Sequence, residues 1–222
     1  MSDRRAVARQ LASDAVAAGR PLEWFEQLYS RARTYGTAIP WADRVPNPNL
    51  LALYEQVKNI PLGPRALKVG CGLGDDAEWL SGLGFYVTAF DIAPTAIAEC
   101  YARFPASKVN YLVADLFAAP PEWARAFDIT IESYTLQVLP PDMRMKAIQT
   151  IAGFVAPGGH LLLVTRARDE SAPAGDMPWP LARMEVDMFG RFGLEEICFE
   201  DYRDNESPPV RRFRACYRRT AE

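Results

Sequence analysis

Three glycines alternate at Gly70, Gly72 and Gly74, directly after the apolar run Ala66-Leu-Lys-Val69 and before the helix-like segment Asp75-Asp-Ala-Glu-Trp-Leu80. Seventeen residues beyond Gly74 a second apolar run, Phe85-Tyr-Val-Thr-Ala-Phe90, ends in Asp91. The chemistry this spacing offers is nucleoside binding. Bare backbone lets a ligand approach the turn closely, and a carboxylate at the next strand tip can accept both hydroxyl protons of a ribose. A third run, Val109-Asn-Tyr-Leu-Val-Ala114, ends in Asp115-Leu-Phe117. Glycine also serves a tight strand-to-helix turn with no ligand, and an Asp before Pro94 also caps a helix. Three strand tips in series, all placed to share one crevice, are the stronger signal.

The elements that must position these residues follow from the pattern. Strands are expected over 65–70, 85–90, 108–114, 127–133 and 160–165, with helices over 76–83 and 94–103 and one opened by Pro140-Pro141 that ends near Pro157-Gly158-Gly159. Such alternation predicts a parallel sheet with helices on both faces. Two long strand-like runs, Leu194 to Tyr202 and Val210 to Tyr217, flank Asp204-Asn-Glu-Ser-Pro-Pro and predict an antiparallel hairpin at the sheet edge. Before the core, residues 3–18 read as an alanine-rich helix, and Pro21 opens a second helix from Leu22 to about Arg33. Asn49 caps a third helix to about Asn59. After the fifth strand a Pro/Gly-rich loop, 169–180, leads to a helix ending near Phe192.

Composition narrows the classes. The 222 residues fit one domain, 1–222, made of an N-terminal helical part, 1–60, and an α/β core, 64–219. Net charge is −3, which argues against a nucleic-acid partner. The densest basic cluster, Arg211-Arg212-Phe-Arg214 with Arg218-Arg219, is read as a solvated strand face. The four cysteines form no CxxC pair and the chain has one histidine, so neither a metal cluster nor a disulfide framework is expected. No run is long and apolar enough for a membrane span or a signal peptide, and a soluble cytoplasmic protein is expected.

In order, the motifs VGCGLG, FDIAPTAI, ADLF, FDITIES and APGG, closed by the terminal hairpin, resemble the class I S-adenosylmethionine-dependent methyltransferases over roughly residues 22–219. The aromatic helix, Ile39-Pro-Trp41, Pro140-Pro-Asp-Met-Arg144 and Gly175-Asp-Met-Pro-Trp-Pro180 are similar, more narrowly, to the thiopurine and thiol/halide methyltransferases. The resemblance implies a Rossmann-like α/β fold: a seven-stranded, mostly parallel sheet with helices on both faces, a C-terminal antiparallel hairpin and an N-terminal helical lid. It implies S-adenosylmethionine as cofactor, without metal. Gly70, Gly72 and Gly74 would pass the methionine part; Asp91 with Ile92 the ribose; Asp115, Leu116 and Phe117 the adenine; and Glu132 either holds the ammonium or is a surface acid. Tyr29 and Trp41 would close over the cofactor, Phe25 and Tyr29 standing where the family carries a tryptophan pair. Trp24, Gln137 and Trp179 would wall the substrate pocket, and Tyr134 and Arg144 would act on the acceptor, Arg144 holding an anionic group or a thiolate. Lys68 stands where most class I enzymes carry an acid; it either approaches the methionine carboxylate or snorkels out of the sheet.

The expected activity is methyl transfer to a small molecule by in-line displacement, most readily to a thiol, whose pKa near 8.5 leaves it partly ionised without a base. O- or N-methylation of a small metabolite is the alternative, and a non-catalytic cofactor-binding protein a third. His160, at the start of the fifth strand, is far from the strand tips and a poor base. A monomer or weak homodimer is expected.

Overall fold

The computed structural model describes residues 5–220; the first residues of the expected helix over 3–18 lie outside them. Helices α1 (Ala6–Ala17), α2 (Glu23–Tyr35) and α3 (Pro48–Val57) precede the sheet. The sheet is laid down by β1 (Arg65–Val69), β2 (Tyr86–Asp91), β3 (Asn110–Val113), β4 (Phe127–Ser133), β5 (Val155–Arg166), β6 (Leu194–Arg203) and β7 (Arg211–Arg219). Between them run α4 (Asp75–Gly82), α5 (Pro94–Arg103), α6 (Arg144–Phe154) and two one-turn helices, α7 (Arg183–Val186) and α8 (Met188–Arg191). Strand order is β3-β2-β1-β4-β5-β7-β6. The first five strands are parallel, and β7 inserts antiparallel between β5 and β6.

Alternation decides which face each side chain serves. Leu67 and Val69 of β1 and Leu161 and Leu163 of β5 pack with Trp24 and Leu28 of α2 and Ile148 and Ile151 of α6. Ala66 of β1, Ile129 and Ile131 of β4, and Leu162 and Val164 of β5 face the other way, onto Leu50 and Leu53 of α3 and Ala77 and Leu80 of α4. A sheet covered on both faces needs apolar residues at every position, which is why β5 reads as an unbroken hydrophobic run.

Three local expectations are corrected. Asn47, not Asn49, caps α3: its side chain accepts from the Asn49 amide at 3.0 Å, with Pro48 in the first helical position. Strand β5 begins at Val155 rather than His160, because pairing with Phe127 of β4 resumes through a register shift around the Pro157-Gly158-Gly159 turn. The single helix expected before Phe192 is two turns that meet at Asp187.

Candidate functional site

A cleft of about 270 Å³ runs along the C-terminal tips of the parallel strands. At its glycine-loop end the carboxylates are held by nearby main chain. Asp91, at the tip of β2, accepts from the Gly72 amide through Oδ2 and from the Ala93 amide through Oδ1, each at 3.0 Å. Burial pushes this carboxyl up, and the two amides and Lys68 pull it back. Asp115, beyond β3, accepts from the Phe117 amide at 2.8 Å and opens a single 3-10 turn that carries Leu116 and Phe117 into the cleft wall. Gly72 lies between the loop and the N-terminal helices: its φ is +55°, and a Cβ there would stand 3.2 Å from the Tyr29 hydroxyl. Arg103 of α5 staples the loop, pairing with Asp75 at 2.6 Å and donating to the Leu73 carbonyl.

Lys68 is buried, and its ammonium is partnered. It donates to the carbonyls of Val69 at 2.8 Å and Gly70 at 3.3 Å, and stands 3.8 Å from Asp76. Asp76, in the first turn of α4, accepts from the Asn47 amide and the Ser133 hydroxyl, both at 2.8 Å. Lys68 and Asp76 both line the cleft. A lysine–aspartate pair thus occupies the region where the sequence shows only the loss of an acid. Asp76 is a site residue that sequence reasoning missed; its signal was the carboxylate in the helix's first turn.

The N-terminal helices close one wall. Trp41 donates to the Tyr29 hydroxyl at 2.9 Å, above the glycine loop. Glu26 of α2 ties this wall to α5 by accepting from the Thr95 amide at 2.9 Å and its hydroxyl at 2.5 Å. Burial, then the nearby Asp91, holds the Tyr29 phenol well above its usual range.

The hairpin end is assembled from remote segments. Tyr134 follows β4 with φ of +66°, and its hydroxyl accepts from Asn49 of α3 at 2.9 Å. Asn49 in turn accepts from the Tyr202 hydroxyl of β6 at 2.6 Å. Gln137 lines the cleft and accepts from the Arg166 amide at 2.7 Å. Arg166 and Arg212, at the ends of β5 and β7, also line it. Arg212 lies over the Tyr134 ring, 5.0 Å from its centroid.

A methyltransferase domain model matches residues 66–159. The thiopurine S-methyltransferase of Vibrio atlanticus is 24% identical over 187 residues, 77% of each chain. The ubiquinone biosynthesis O-methyltransferase of Xanthomonas axonopodis pv. citri is 32% identical over 54% of this chain, which spans half of that relative's length. Among solved structures, the N-methyltransferase NodS of Bradyrhizobium japonicum, in complex with S-adenosyl-L-homocysteine, superposes with a TM-score of 0.68 at 20% identity, over 87% of this chain and 97% of that one. These likenesses support an S-adenosylmethionine-dependent methyltransferase, its domain matched over residues 66–159.

The fold matches the expectation of a seven-stranded, mostly parallel sheet with an antiparallel C-terminal pair. In this methyltransferase Gly70, Gly72, Asp91, Ile92, Asp115, Leu116, Phe117, Tyr29, Trp41, Tyr134 and Gln137 all face one cleft. Five other expected site residues do not. Gly74 serves packing: a Cβ there would stand 2.6 Å from the Tyr111 hydroxyl. Glu132 lies one residue out of phase with Lys68 and Ser133 and points beneath the turn; its Oε1 accepts from the Thr135 and Leu136 amides at 2.7 and 2.9 Å. Burial pushes its carboxyl up to about 7. Trp24 is fully buried, stacked on Phe25 at 4.1 Å, with its ring 5.9 Å from that of Trp41.

Arg144 is buried in the scaffold of the methyltransferase and does not reach the cleft. It pairs with Glu185 at 2.6 Å and donates to the carbonyls of Leu136 and Trp179. Trp179 is held there by main chain, its amide donating to Gln137 at 2.7 Å, so its ring is not a cleft wall. The basic C-terminal cluster is also corrected. Arg219 is buried and donates to the carbonyls of Ala152, Val155 and Phe192, while Arg212 is buried beside the cleft. His160 is buried in β5, outside the cleft. Among the described residues no helix is long and apolar enough to cross a membrane.

Proposed function

We propose that the enzyme methylates the sulfur of a small-molecule thiol, with S-adenosylmethionine bound along the strand tips. The observation that carries the reading is the series of cleft-facing groups at the tips of β1, β2 and β3: Gly70 and Gly72, then Asp91, then Asp115 with Leu116 and Phe117. Each carboxylate oxygen at Asp91 already takes one backbone amide, which leaves its second lone pair for ribose hydroxyls. Asp115 and its apolar neighbours suit an adenine edge and faces. Lys68 offers a cation to the methionine carboxylate, and Asp76 offers a carboxylate to its ammonium. When bound, the cofactor supplies a methyl carbon on a positively charged sulfur that is its own leaving group.

The chain's own residues then have to align the nucleophile and exclude water. Tyr29 and Trp41 do the second by closing over the glycine loop. Tyr134 does the first, at the tip of β4. Burial holds the Tyr134 phenol above its usual range, so it meets the acceptor as a hydrogen-bonding group rather than a base. The Cys71 thiol is likewise pushed well up by burial. A cleft furnished this way suits a nucleophile that ionises unaided, which a thiol does and an alcohol does not.

Calorimetric titration with S-adenosylhomocysteine tests the cofactor site. Wild type is expected to bind, and Asp91→Ala to lose about a hundredfold in affinity, since charge-assisted hydrogen bonds are worth about 1.5–3 kcal/mol each. Equal binding by the two proteins would remove the ribose assignment. Turnover of a thiol, phenol and amine panel decides the acceptor; a phenol methylated faster than any thiol would favour O-methylation.

A further inference from the structure

Arg166 and Arg212 are directly opposed across the β5–β7 ladder, so their side chains leave the same face of the sheet. Like charges opposite one another on neighbouring strands are destabilising unless something lies between them. What lies between them here is thin. Arg212 is 3% exposed; its Nε and Nη2 are spent on Asp204 and Glu206, and its Nη1 has no hydrogen-bond partner among the described residues. The ion pair of Arg166 is with the same Glu206, at 3.5 Å. Glu206, half exposed on the β6–β7 turn, is therefore shared by two guanidinium groups. Asp204 also accepts from the amides of Glu206 and Val210. A third cation, Arg5, lines the same end of the cleft. Burial, then Arg5 and Arg212, holds the Arg166 guanidinium below its usual range.

Position adds to charge. Ser133 at the tip of β4 pairs with Val164, two residues before Arg166. Tyr134 lies between that tip and Arg212. A molecule presenting its nucleophile at the tip of β4 would extend past Tyr134 onto the two arginines.

We infer that this end of the cleft is an anion subsite, and that the methyl acceptor carries a carboxylate that docks on Arg166 and Arg212. The inference rests on the methyltransferase reading and narrows its substrate class. The planar fork of Arg166, with the unpartnered Nη1 of Arg212 beside it, matches the paired oxygens of a carboxylate better than ammonium groups would. Arg144, the arginine the sequence pointed to, is spent in the scaffold, and the arginines that face the cleft come from β5 and β7 instead.

Three probes of one shape test it: 3-phenylpropionate, its neutral amide 3-phenylpropionamide, and the cation 3-phenylpropylamine. Each is titrated calorimetrically into the full chain, with and without S-adenosylhomocysteine. The carboxylate is expected to bind about tenfold tighter than the amide, or more. Arg166→Gln should bring the two together; it breaks only the 3.5 Å pair with Glu206, which Arg212 still holds, and circular dichroism checks that the variant is folded. Glu206→Gln should strengthen carboxylate binding, because it withdraws the competing internal anion. Arg212→Gln should act like Arg166→Gln if circular dichroism shows it folded. Equal binding of carboxylate and amide, no binding of either at millimolar concentration, or preference for the amine would overturn the inference. A carboxylate preference that persists in a protein unable to bind S-adenosylhomocysteine would uphold the anion subsite and sink the donor reading instead.

Discussion

At the glycine-loop end of the cleft, Asp91 and Asp115 are held by main-chain amides; at the hairpin end, Tyr134 is held by side chains from distant parts of the chain. Asp91 and Asp115 each accept from an amide two positions on. Tyr134 is positioned by Asn49, 85 residues away, and Asn49 by Tyr202, 153 residues away. The first arrangement is rigid wherever the strand and turn form, and suits a ligand that does not vary. The second depends on how α3, the hairpin and the loops pack, and can be altered without disturbing the sheet.

That contrast can be tested in decreasing order of expected effect. Arg144→Met removes the guanidinium that pairs with Glu185 Oε1 and donates to two carbonyls, leaving Glu185 only its pair with Arg168 at 2.9 Å. It should cost about 3–5 kcal/mol of stability by urea denaturation and leave S-adenosylhomocysteine affinity little changed in the folded protein. An equally stable variant would mean that Arg144 is free to serve a ligand after all.

Glu132 gives a pH signature. Its carboxyl sits at about 7 in the folded protein against 4.5 ordinarily. The folded state therefore holds the proton more tightly than the unfolded chain. Stability from this group is fully present below about pH 4.5 and is lost as pH rises through 7, by about 3 kcal/mol in all. Glu132→Gln stays neutral and keeps an oxygen for the Thr135 and Leu136 amides, so wild type should lose stability relative to it across that window. A pH-independent difference between the two unfolding curves would refute the buried, protonated carboxyl.

Gly72→Ala probes the boundary between loop and lid. Its left-handed backbone should cost an alanine about 1–2 kcal/mol. The new methyl would also crowd Tyr29, so S-adenosylhomocysteine affinity should fall along with melting temperature. A loss of stability with affinity intact would show that the lid is not seated on this glycine when ligand is bound. The smallest effect is expected at Tyr134→Phe. If the phenol only orients the acceptor, kcat for a thiol should drop less than about tenfold, whereas removal of a true base typically costs 10²-fold or more.

How much was readable without coordinates divides along the same line. The β-strand and glycine-turn pattern, the carboxylates at the tips of β2 and β3, and the closing hairpin are matters of periodicity and spacing along one stretch of chain. They were legible because each is fixed by neighbours in sequence. Glu132 was misplaced by one residue of strand phase: the alternation of β4 turns it beneath the Thr135–Leu136 turn, while Ser133 and Tyr134 reach the cleft. Arg144 was misassigned because spacing cannot show that Glu185 and the Trp179 carbonyl claim its guanidinium. Arg212 was read as a solvated strand residue because its charge is visible in sequence and its burial is not.

By itself, then, the chain's sequence determined the sheet, the glycine turn and the cleft-facing acids at the strand tips, since hydrophobic periodicity and backbone permissiveness act over a few residues. Tertiary structure alone decided which arginines face the cleft, that Lys68 is partnered by Asp76, and that Asn49 hydrogen-bonds Tyr134. Those outcomes depend on which distant groups compete for the same buried charges and hydrogen bonds, and that competition exists only once the helices and the hairpin have closed on the sheet.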